Sequence, residues 1–371
     1  MSFVCIWTHW FERHLAQRQM IDILPWQRDA LLELVGRGDK LPHALLVHGR
    51  SGIGKVEFAR TLAQSLLCEA PEDSLACGTC PACGWFREGN HPDYRELLPE
   101  SMAEDTTTED APADADDKDN KDKKKSREIK IDQIRAIADF MQLSTHRDGY
   151  RVLLIHPAEA INLAAANALL KTLEEPAART VILLVSDQLG RLLPTIRSRC
   201  QRVLVPSPAA DVGVAWLRGQ GVAKPEDALA AAGGAPLDAM AFGDADYQAA
   251  RKALVAALAE PDFDFGLAAQ NFEKSDLSNL LGWLQTWTND LIRHRMIGRI
   301  DHHRDQAAAV ERIAKNIELP RVFRFETELR QTRRLINHPL NARLLLEQLF
   351  ISYKQAISRK HSASPPARPS Q

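Results

Sequence analysis

Long apolar runs and an excess of one charge are both missing from this chain of 371 residues. No stretch reaches the roughly 18 consecutive apolar residues that a membrane helix needs, so no membrane span is expected. The 47 basic and 49 acidic side chains leave a net charge of −2. That balance excludes a uniformly basic nucleic-acid-binding protein, although charges segregated along the chain could still form a local basic face.

A secretory signal is also missing from the first 19 residues, which have no basic start, no unbroken apolar core and no small-residue cleavage site. Trp7, Trp10 and Phe11 are interrupted by polar and charged residues. We interpret residues 1–19 as an extension outside the folded unit, which would begin near Met20, and we expect a cytoplasmic location.

The order of the predicted elements indicates an α/β unit followed by helical units, and the length allows two or three domains. Between residues 20 and 206, apolar segments typical of buried strands alternate with helical segments, which predicts a parallel sheet covered on both faces. The predicted strands are Ala44–Val47, His91–Glu100, Arg151–Ile155, Thr180–Ser186 and a last one soon after Cys200. Strands stop near Pro206, so we predict helical domains over residues 207–243 and 244–358 and a disordered tail over 359–371.

A glycine-rich turn follows the first predicted strand and precedes an amphipathic helix. Gly49, Gly54 and Lys55 match the phosphate-binding pattern G-x-x-x-x-G-K. Such a loop aims backbone N–H groups and a lysine at phosphate oxygens beside the N-terminus of a helix. A chance match is the alternative, and the strand before and the helix after the loop argue against it.

The groups that make such a loop an ATPase are missing from their usual positions. The residue after the lysine normally carries a hydroxyl that helps to bind Mg²⁺, and here it is Val56. The strand that ends at Ile155 would normally be followed by acidic residues, and here His156 and Pro157 follow it. We expect His156 to be an ordinary hydrogen-bonded residue, and we expect the loop to bind ATP weakly or not at all.

Four cysteines follow the helix after the loop with the spacing C-x8-C-x2-C-x2-C, namely Cys68, Cys77, Cys80 and Cys83. Four thiolates close a tetrahedral Zn²⁺ site with no open position for water, so a zinc ion here would be structural. An iron–sulfur cluster could use the same ligands, whereas a disulfide pair is disfavoured in a reducing cytoplasm. Cys5 and Cys200 fall outside this pattern and are expected to be ordinary thiols.

Residues 101–127 form a low-complexity segment that is acidic in its first half and rich in lysine in its second. The segment has almost no large apolar side chains and cannot bury enough surface to offset the entropy of ordering, so we expect a disordered insertion. A basic patch that docks DNA is the alternative, although the adjacent acidic block would screen it.

Four features together resemble the clamp-loader AAA+ family of bacterial DNA polymerase III. They are the Gly49–Val56 loop, the four cysteines, NALLKTLEEP at Asn167–Pro176 and IRSRC at Ile196–Cys200. The resemblance covers roughly residues 20–353. It implies an ATPase-like α/β domain with an inserted zinc module, a small helical lid domain over 207–243, and a helical collar domain over 244–358 that joins its neighbours in a pentamer.

The same resemblance implies a subunit that does not hydrolyse ATP. Val56, His156 and Pro157 differ from the motor subunits of the family, and so does Leu237, which lies in GGAPLDAM where the motors carry a nucleotide-sensing arginine. The implied partners are the ATPase subunits of the loader and its delta subunit. The sliding clamp and primed DNA would be bound through the complex.

The resemblance gives Arg199 a role in catalysis by a neighbour. In the family, the arginine of the triplet Ser198-Arg199-Cys200 reaches the ATP site of the adjacent motor as an arginine finger. A guanidinium suits that role because it is permanently charged and presents a rigid fork of donors to phosphate oxygens. A surface salt bridge is the alternative for Arg199, and Arg197 is the nearest competitor for the role.

Two further functions are compatible with the residues. An atypical but active ATPase of DNA replication or repair would show ATP turnover by the isolated chain that depends on Lys55. A zinc-dependent DNA-binding protein with a vestigial nucleotide fold would lose DNA binding on chelation, although the modest net charge argues against it.

Overall fold

The computed structural model describes residues 23–102, 126–142, 149–335 and 341–358. The predicted extension 1–19, the tail 359–371 and most of the insertion 101–127 lie outside these described residues. The described chain forms two compact units, of which the first ends at Val212 and the second begins at Gly213. No helix in the described ranges has both the length and the apolar character needed to cross a lipid bilayer.

A five-stranded parallel sheet forms the centre of the first unit. Its strands are β1 (Ala44–His48), β2 (Tyr94–Leu97), β3 (Arg151–Ile155), β4 (Thr180–Ser186) and β5 (Gln201–Leu204). The order across the sheet is β2-β3-β4-β1-β5, and every neighbouring pair is parallel. The predicted α/β class is confirmed, and the segments that follow β1, β3 and β4 leave the sheet at one edge, where α/β proteins bind ligands.

The described residues of this unit form six α-helices before the division at Val212. They are α1 (Arg28–Val35), α2 (Lys55–Leu67), α3 (Pro81–Glu88), α4 (Ile131–Gln142), α5 (Leu163–Glu174) and α6 (Pro194–Arg197). Apolar residues of α1, α2 and α3 share one core, and those of α4, α5 and α6 share the other. The helices therefore cover both faces of the sheet, as the alternation of strands and helices predicts.

The strand side chains alternate between these two cores. Leu45 and Val47 join Phe58 and Leu62 of α2 in one core, whereas Leu46 lies in the other. All five side chains are fully buried, and burying a side chain of this size contributes roughly 1.5–3 kcal/mol. Burial on both faces explains why the strands are continuous apolar segments in the sequence.

The second unit is helical throughout its described residues. Its helices are α7 (Ala210–Gly219), which spans the division between the units, α8 (Pro225–Ala231), α9 (Pro236–Met240), α10 (Ala245–Ala259), α11 (Phe265–Phe272), α12 (Leu277–Ile297), α13 (Ala307–Ala314), α14 (Leu319–Leu335) and α15 (Ala342–Ile357). Four of these helices begin after an N-cap side chain that accepts a backbone N–H of the first turn, from Asp244, Asp264, Asp276 and Asn341.

Two separate apolar clusters lie among the described residues of the second unit. A small one surrounds Leu217 and Leu229 of α7 and α8, and a large one surrounds Trp287 and Tyr353 of α12 and α15. In the large cluster, Trp287 Nε1 donates to Tyr353 Oη at 2.9 Å, and this hydroxyl donates to Leu258 O at 2.8 Å. Separate clusters are what distinct lid and collar domains would have, and the domain boundaries themselves stay a prediction.

Candidate functional site

The glycines of the loop between β1 and α2 adopt backbone conformations that other residues avoid. Gly49 and Gly54 have φ angles of 152° and 86°. A Cβ atom on Gly54 would lie 2.3 Å from Leu24 Cδ1, and one on Gly49 would lie 2.9 Å from Val205 O. Both positions therefore need glycine for conformation and for space. The loop leads directly into α2, whose first residue is Lys55.

Two side chains from the segment before α1 hold this loop in place. Trp26 Nε1 donates to Ile53 O at 3.0 Å, and Gln27 Nε2 donates to Ile53 O at 2.9 Å and to Gly54 O at 2.7 Å. Gln27 is almost completely buried. The sequence analysis missed Trp26 and Gln27, because a contact between residues 26 positions apart leaves no local pattern.

Lys55 is paired within the chain. Its side chain is 4% exposed, and Nζ lies 2.5 Å from Asp187 Oδ1 and 2.5 Å from Arg50 O. Asp187 follows β4, and its backbone N–H donates to Glu159 Oε1 at 3.1 Å. The sequence analysis did not place Asp187 in the site, because only the β1–β4 pairing brings it beside the loop.

The positions that bind the metal in an ATPase carry other side chains. Val56 packs against the apolar core that surrounds α2 and has no oxygen to offer. His156, which precedes Pro157 at the end of β3, is buried, and its Nε2 lies 2.8 Å from Glu96 Oε1. His156 is therefore hydrogen-bonded within the chain, and no acidic side chain directly follows β3.

Glu96 of β2 is the centre of a network that the sequence analysis missed. Arg60 Nη2 donates to Glu96 Oε1 at 2.6 Å, and Tyr94 Oη donates to Glu96 Oε2 at 3.1 Å. Burial alone would raise the pKa of this carboxyl, but the charge of Arg60 and the hydrogen bond with His156 outweigh it and lower the pKa to about 2. The carboxylate is therefore ionised at neutral pH, and its charge is fully paired.

Arg199 lies at the surface, just after α6 and before β5. Its Nε donates to Glu174 Oε1 at 2.7 Å, its Nη1 donates to Thr195 O at 3.0 Å, and its side chain is 35% exposed. Arg197, the competitor for the finger role, is partly buried. Cys200 is buried, and burial raises the pKa of its thiol to about 11. Of the predicted triplet, Ser198 and Arg199 are exposed.

The four predicted metal ligands are brought together. The sulfur atoms of Cys68, Cys77, Cys80 and Cys83 all lie within 4.8 Å of one another. The Sγ of Cys68 is 3.6 Å from that of Cys77 and 3.8 Å from that of Cys80, close to the roughly 3.8 Å expected between sulfurs that share one Zn²⁺ at about 2.3 Å. Backbone N–H groups of Cys77 and Cys80 donate to Cys68 Sγ and Cys77 Sγ, both at 3.3 Å. The cluster therefore has the chemistry and the size to hold one such ion.

Leu237 lies on α9 in the second unit, between the buried residues Pro236 and Ala239. The helix carries no basic side chain, so it offers no cation to a nucleotide.

Comparison with known proteins places the chain among subunits of DNA polymerase III. The family described as "DNA polymerase III, delta subunit" matches residues 30–209, and the family described as "DNA polymerase III, delta subunit, C terminal" matches residues 245–355. DNA polymerase III subunit delta' of Pseudomonas aeruginosa is 33% identical over 350 residues, which cover 90% of this chain and 98% of that protein. The delta' subunit of Escherichia coli is 33% identical over 282 residues, or 72% of this chain and 76% of that protein.

A more distant relative is the gamma subunit of DNA polymerase III of Buchnera aphidicola, which is 31% identical over 161 residues, or 43% of this chain and 37% of that protein. The parallel sheet, the glycine loop and these matches define an AAA+-type subunit of the clamp-loader class, which serves DNA replication. Within that class, the chain belongs to the delta' family of DNA polymerase III.

Proposed function

We propose that the chain is a non-hydrolysing subunit of the clamp loader that helps to load the sliding clamp on primed DNA. Val56 supplies no oxygen for Mg²⁺, His156 replaces an acid, and Lys55 already has a carboxylate partner in Asp187. With these groups the chain would bind ATP weakly or not at all. Hydrolysis is assigned to the neighbouring ATPase subunits.

The exposed position of Arg199 carries this proposal. Its guanidinium pairs with Glu174, whose side chain is 49% exposed. An exposed pair of this kind contributes about 1 kcal/mol or less, so its release costs little. An arginine finger raises turnover by about 10³- to 10⁵-fold, which corresponds to roughly 4–7 kcal/mol. The gain from the finger is larger than the cost of breaking the Arg199–Glu174 pair, so the guanidinium can move from Glu174 to the phosphates at a neighbour's ATP site.

The four cysteines are assigned a structural zinc ion. Four thiolates leave no coordination position for a substrate or a water molecule. When bound, the ion would join the end of α2 to the start of α3, since Cys68 follows α2 and Cys83 lies in the first turn of α3. An iron–sulfur cluster is the competing occupant, and metal analysis distinguishes the two.

The assembly follows from the same assignment. The α/β domain over 20–206 would carry the loop, the zinc module and Arg199, while the lid over 207–243 and the collar over 244–358 would complete the subunit. Its partners would be the ATPase subunits and the delta subunit, with the clamp and primed DNA bound through the complex. A cytoplasmic location is part of this proposal.

The test is ATP turnover by the reconstituted loader, stimulated by clamp and primed DNA, with Arg199→Ala in this chain only. We expect turnover at the adjacent ATP site to fall by about 10³-fold or more while the complex still assembles. Glu174→Gln removes only the partner of Arg199 and should keep turnover.

Arg218→Ala is the matched control, because Arg218 is also exposed and also pairs with a glutamate, Glu226, at 2.7 Å. It should leave turnover unchanged. An unchanged rate for Arg199→Ala would refute the finger, and ATP turnover by the isolated chain that Lys55→Ala abolishes would favour an atypical ATPase instead.

A further inference from the structure

The phosphate-type loop has a carboxylate of its own. Asp187 Oδ1 lies 2.5 Å from Lys55 Nζ, and the lysine side chain is 4% exposed while that of Asp187 is 47% exposed. The ammonium group also donates to Arg50 O at 2.5 Å. The buried cation of the loop is thus covered from the solvent side by a half-exposed carboxylate.

The backbone holds Asp187 in this position. β4 pairs with β1 so that Ser186 lies opposite His48, and the residue after Ser186 therefore emerges beside the start of the loop. The N–H of Asp187 donates to Glu159 Oε1 at 3.1 Å, which fixes the peptide that carries the side chain. Ser51 Oγ of the loop lies 3.5 Å from Asp187 Oδ2, so both carboxylate oxygens face the loop.

We infer that Asp187 acts as an internal ligand of Lys55 and is the residue that excludes nucleoside di- and triphosphates from this loop. Two effects act together. A carboxylate held within the same chain competes at high effective concentration for the ammonium group that a phosphate would need. The negative charge of Asp187 also repels a polyphosphate that approaches Lys55.

This inference deepens the proposed function and rests on it, because a subunit that hydrolysed ATP itself would need this loop to bind the nucleotide. The rest of the loop keeps a phosphate-type shape. Gly49 and Gly54 keep their special backbone angles, and Trp26 and Gln27 still hold the loop from outside. Removal of the carboxylate alone should therefore restore anion binding.

The experiment is isothermal titration calorimetry, in which the full-length chain is titrated with ADP and with inorganic tripolyphosphate, each with and without Mg²⁺. Asp187→Asn keeps the size of the side chain and removes its charge. We expect it to bind both ligands at least tenfold more tightly than the wild type. We expect this binding to be independent of Mg²⁺, because Val56 supplies no metal ligand.

A double variant and a charge control complete the design. The double variant Lys55→Ala with Asp187→Asn should not show the tighter binding, since the cation that attracts the phosphates is then missing. Asp132→Asn removes the same charge from α4, where the side chain is 83% exposed and 3.6 Å from Arg135, and it should bind like the wild type. Asp187→Ser serves as a second variant in case Asp187→Asn does not fold.

Equal affinities for the wild type and both Asp187 variants would overturn the inference, whether all bind tightly or none binds. That result would leave the Arg199 assignment intact, because the finger is measured at a neighbour's site. Conversely, a tenfold gain in affinity together with unchanged turnover for Arg199→Ala would overturn the arginine finger and keep the role of Asp187.

Discussion

At the scale of single residues, the first unit is marked by charges that find their partners inside the chain. Glu96 is paired with Arg60 and His156, and Lys55 is paired with Asp187. A buried charge is tolerated only when a partner and hydrogen bonds replace its water. The loop after β1 and the end of β3 thus carry ion pairs formed within the chain, in which each buried charge has a partner of opposite charge.

Glu96→Gln should show this in a pH-dependent way. The folded-state pKa of Glu96 is about 2, below its ordinary value of 4.5, so its contribution is present above pH 4.5 and is lost as the pH falls toward 2. We expect the substitution to lower the free energy of unfolding at pH 7 by on the order of 3 kcal/mol, with a smaller difference at pH 3.5.

Urea unfolding of both proteins at the two pH values measures this. Glu33→Gln is the control, because Glu33 is 72% exposed and pairs with Arg37 one helical turn away, so its change should stay within about 0.5 kcal/mol. An equal cost for Glu96→Gln at both pH values would show that the carboxylate does not act through its charge.

At the scale of elements, the turn from β1 into α2 is shaped by contacts on both sides. Gly54 has a φ of 86°, and its missing Cβ leaves room for Leu24 and Gln27. The loop therefore depends on a tight fit to the segment before α1 as well as on glycine's freedom of rotation.

Gly54→Ala should separate these two causes when compared with Gly221→Ala. Gly221 has a similar φ of 76°, but a Cβ there would meet nothing within 4 Å. The strain of the left-handed conformation costs about 1–2 kcal/mol in both variants. Gly54→Ala should cost more, since its Cβ would lie 2.3 Å from Leu24 Cδ1. Similar urea midpoints for the two variants would mean that the Leu24 side chain moves away from the new Cβ at little cost in stability.

The elements were largely predictable from sequence, and the contacts between them were not. Buried parallel strands are continuous apolar segments, so β1, β3 and β4 stand out, and Pro176 explains why α5 ends where it does. Glu96 and Asp187 carry no local signal, because their partners lie far away along the chain, in α2 and just after β3. The cysteine cluster is the exception, since the spacing of its ligands is itself the pattern.

At the scale of the whole molecule, the two units are stabilised by different means. The second has a large apolar core around Trp287, whereas the first combines two cores with the cysteine cluster. A structural metal contributes directly to folding free energy, so its removal should affect the first unit and spare the second.

Metal analysis of the purified chain should give one zinc ion per chain, and chelation should lower the unfolding temperature of the first unit by roughly 5–10 °C. Cys80→Ser should have the same effect, while Cys200→Ser, outside the cluster, should keep the zinc. Limited proteolysis would show which unit opens. Iron with inorganic sulfide would identify a cluster instead, and a metal-free chain of unchanged stability would refute the assignment.

The contact between His156 and Glu96 also restricts which side chains the end of β3 can carry. A substitution of His156 by an acid would set two carboxylates side by side where 2.8 Å now separates a ring nitrogen from an oxygen, and like charges that close destabilise each other. Glu96 would have to be replaced before His156 could become an acid. Replacing Glu96 alone, however, would remove the hydrogen-bond partner of both His156 and Arg60. Either substitution alone would therefore leave a buried charge without its partner, so we expect the two positions to tolerate change only together.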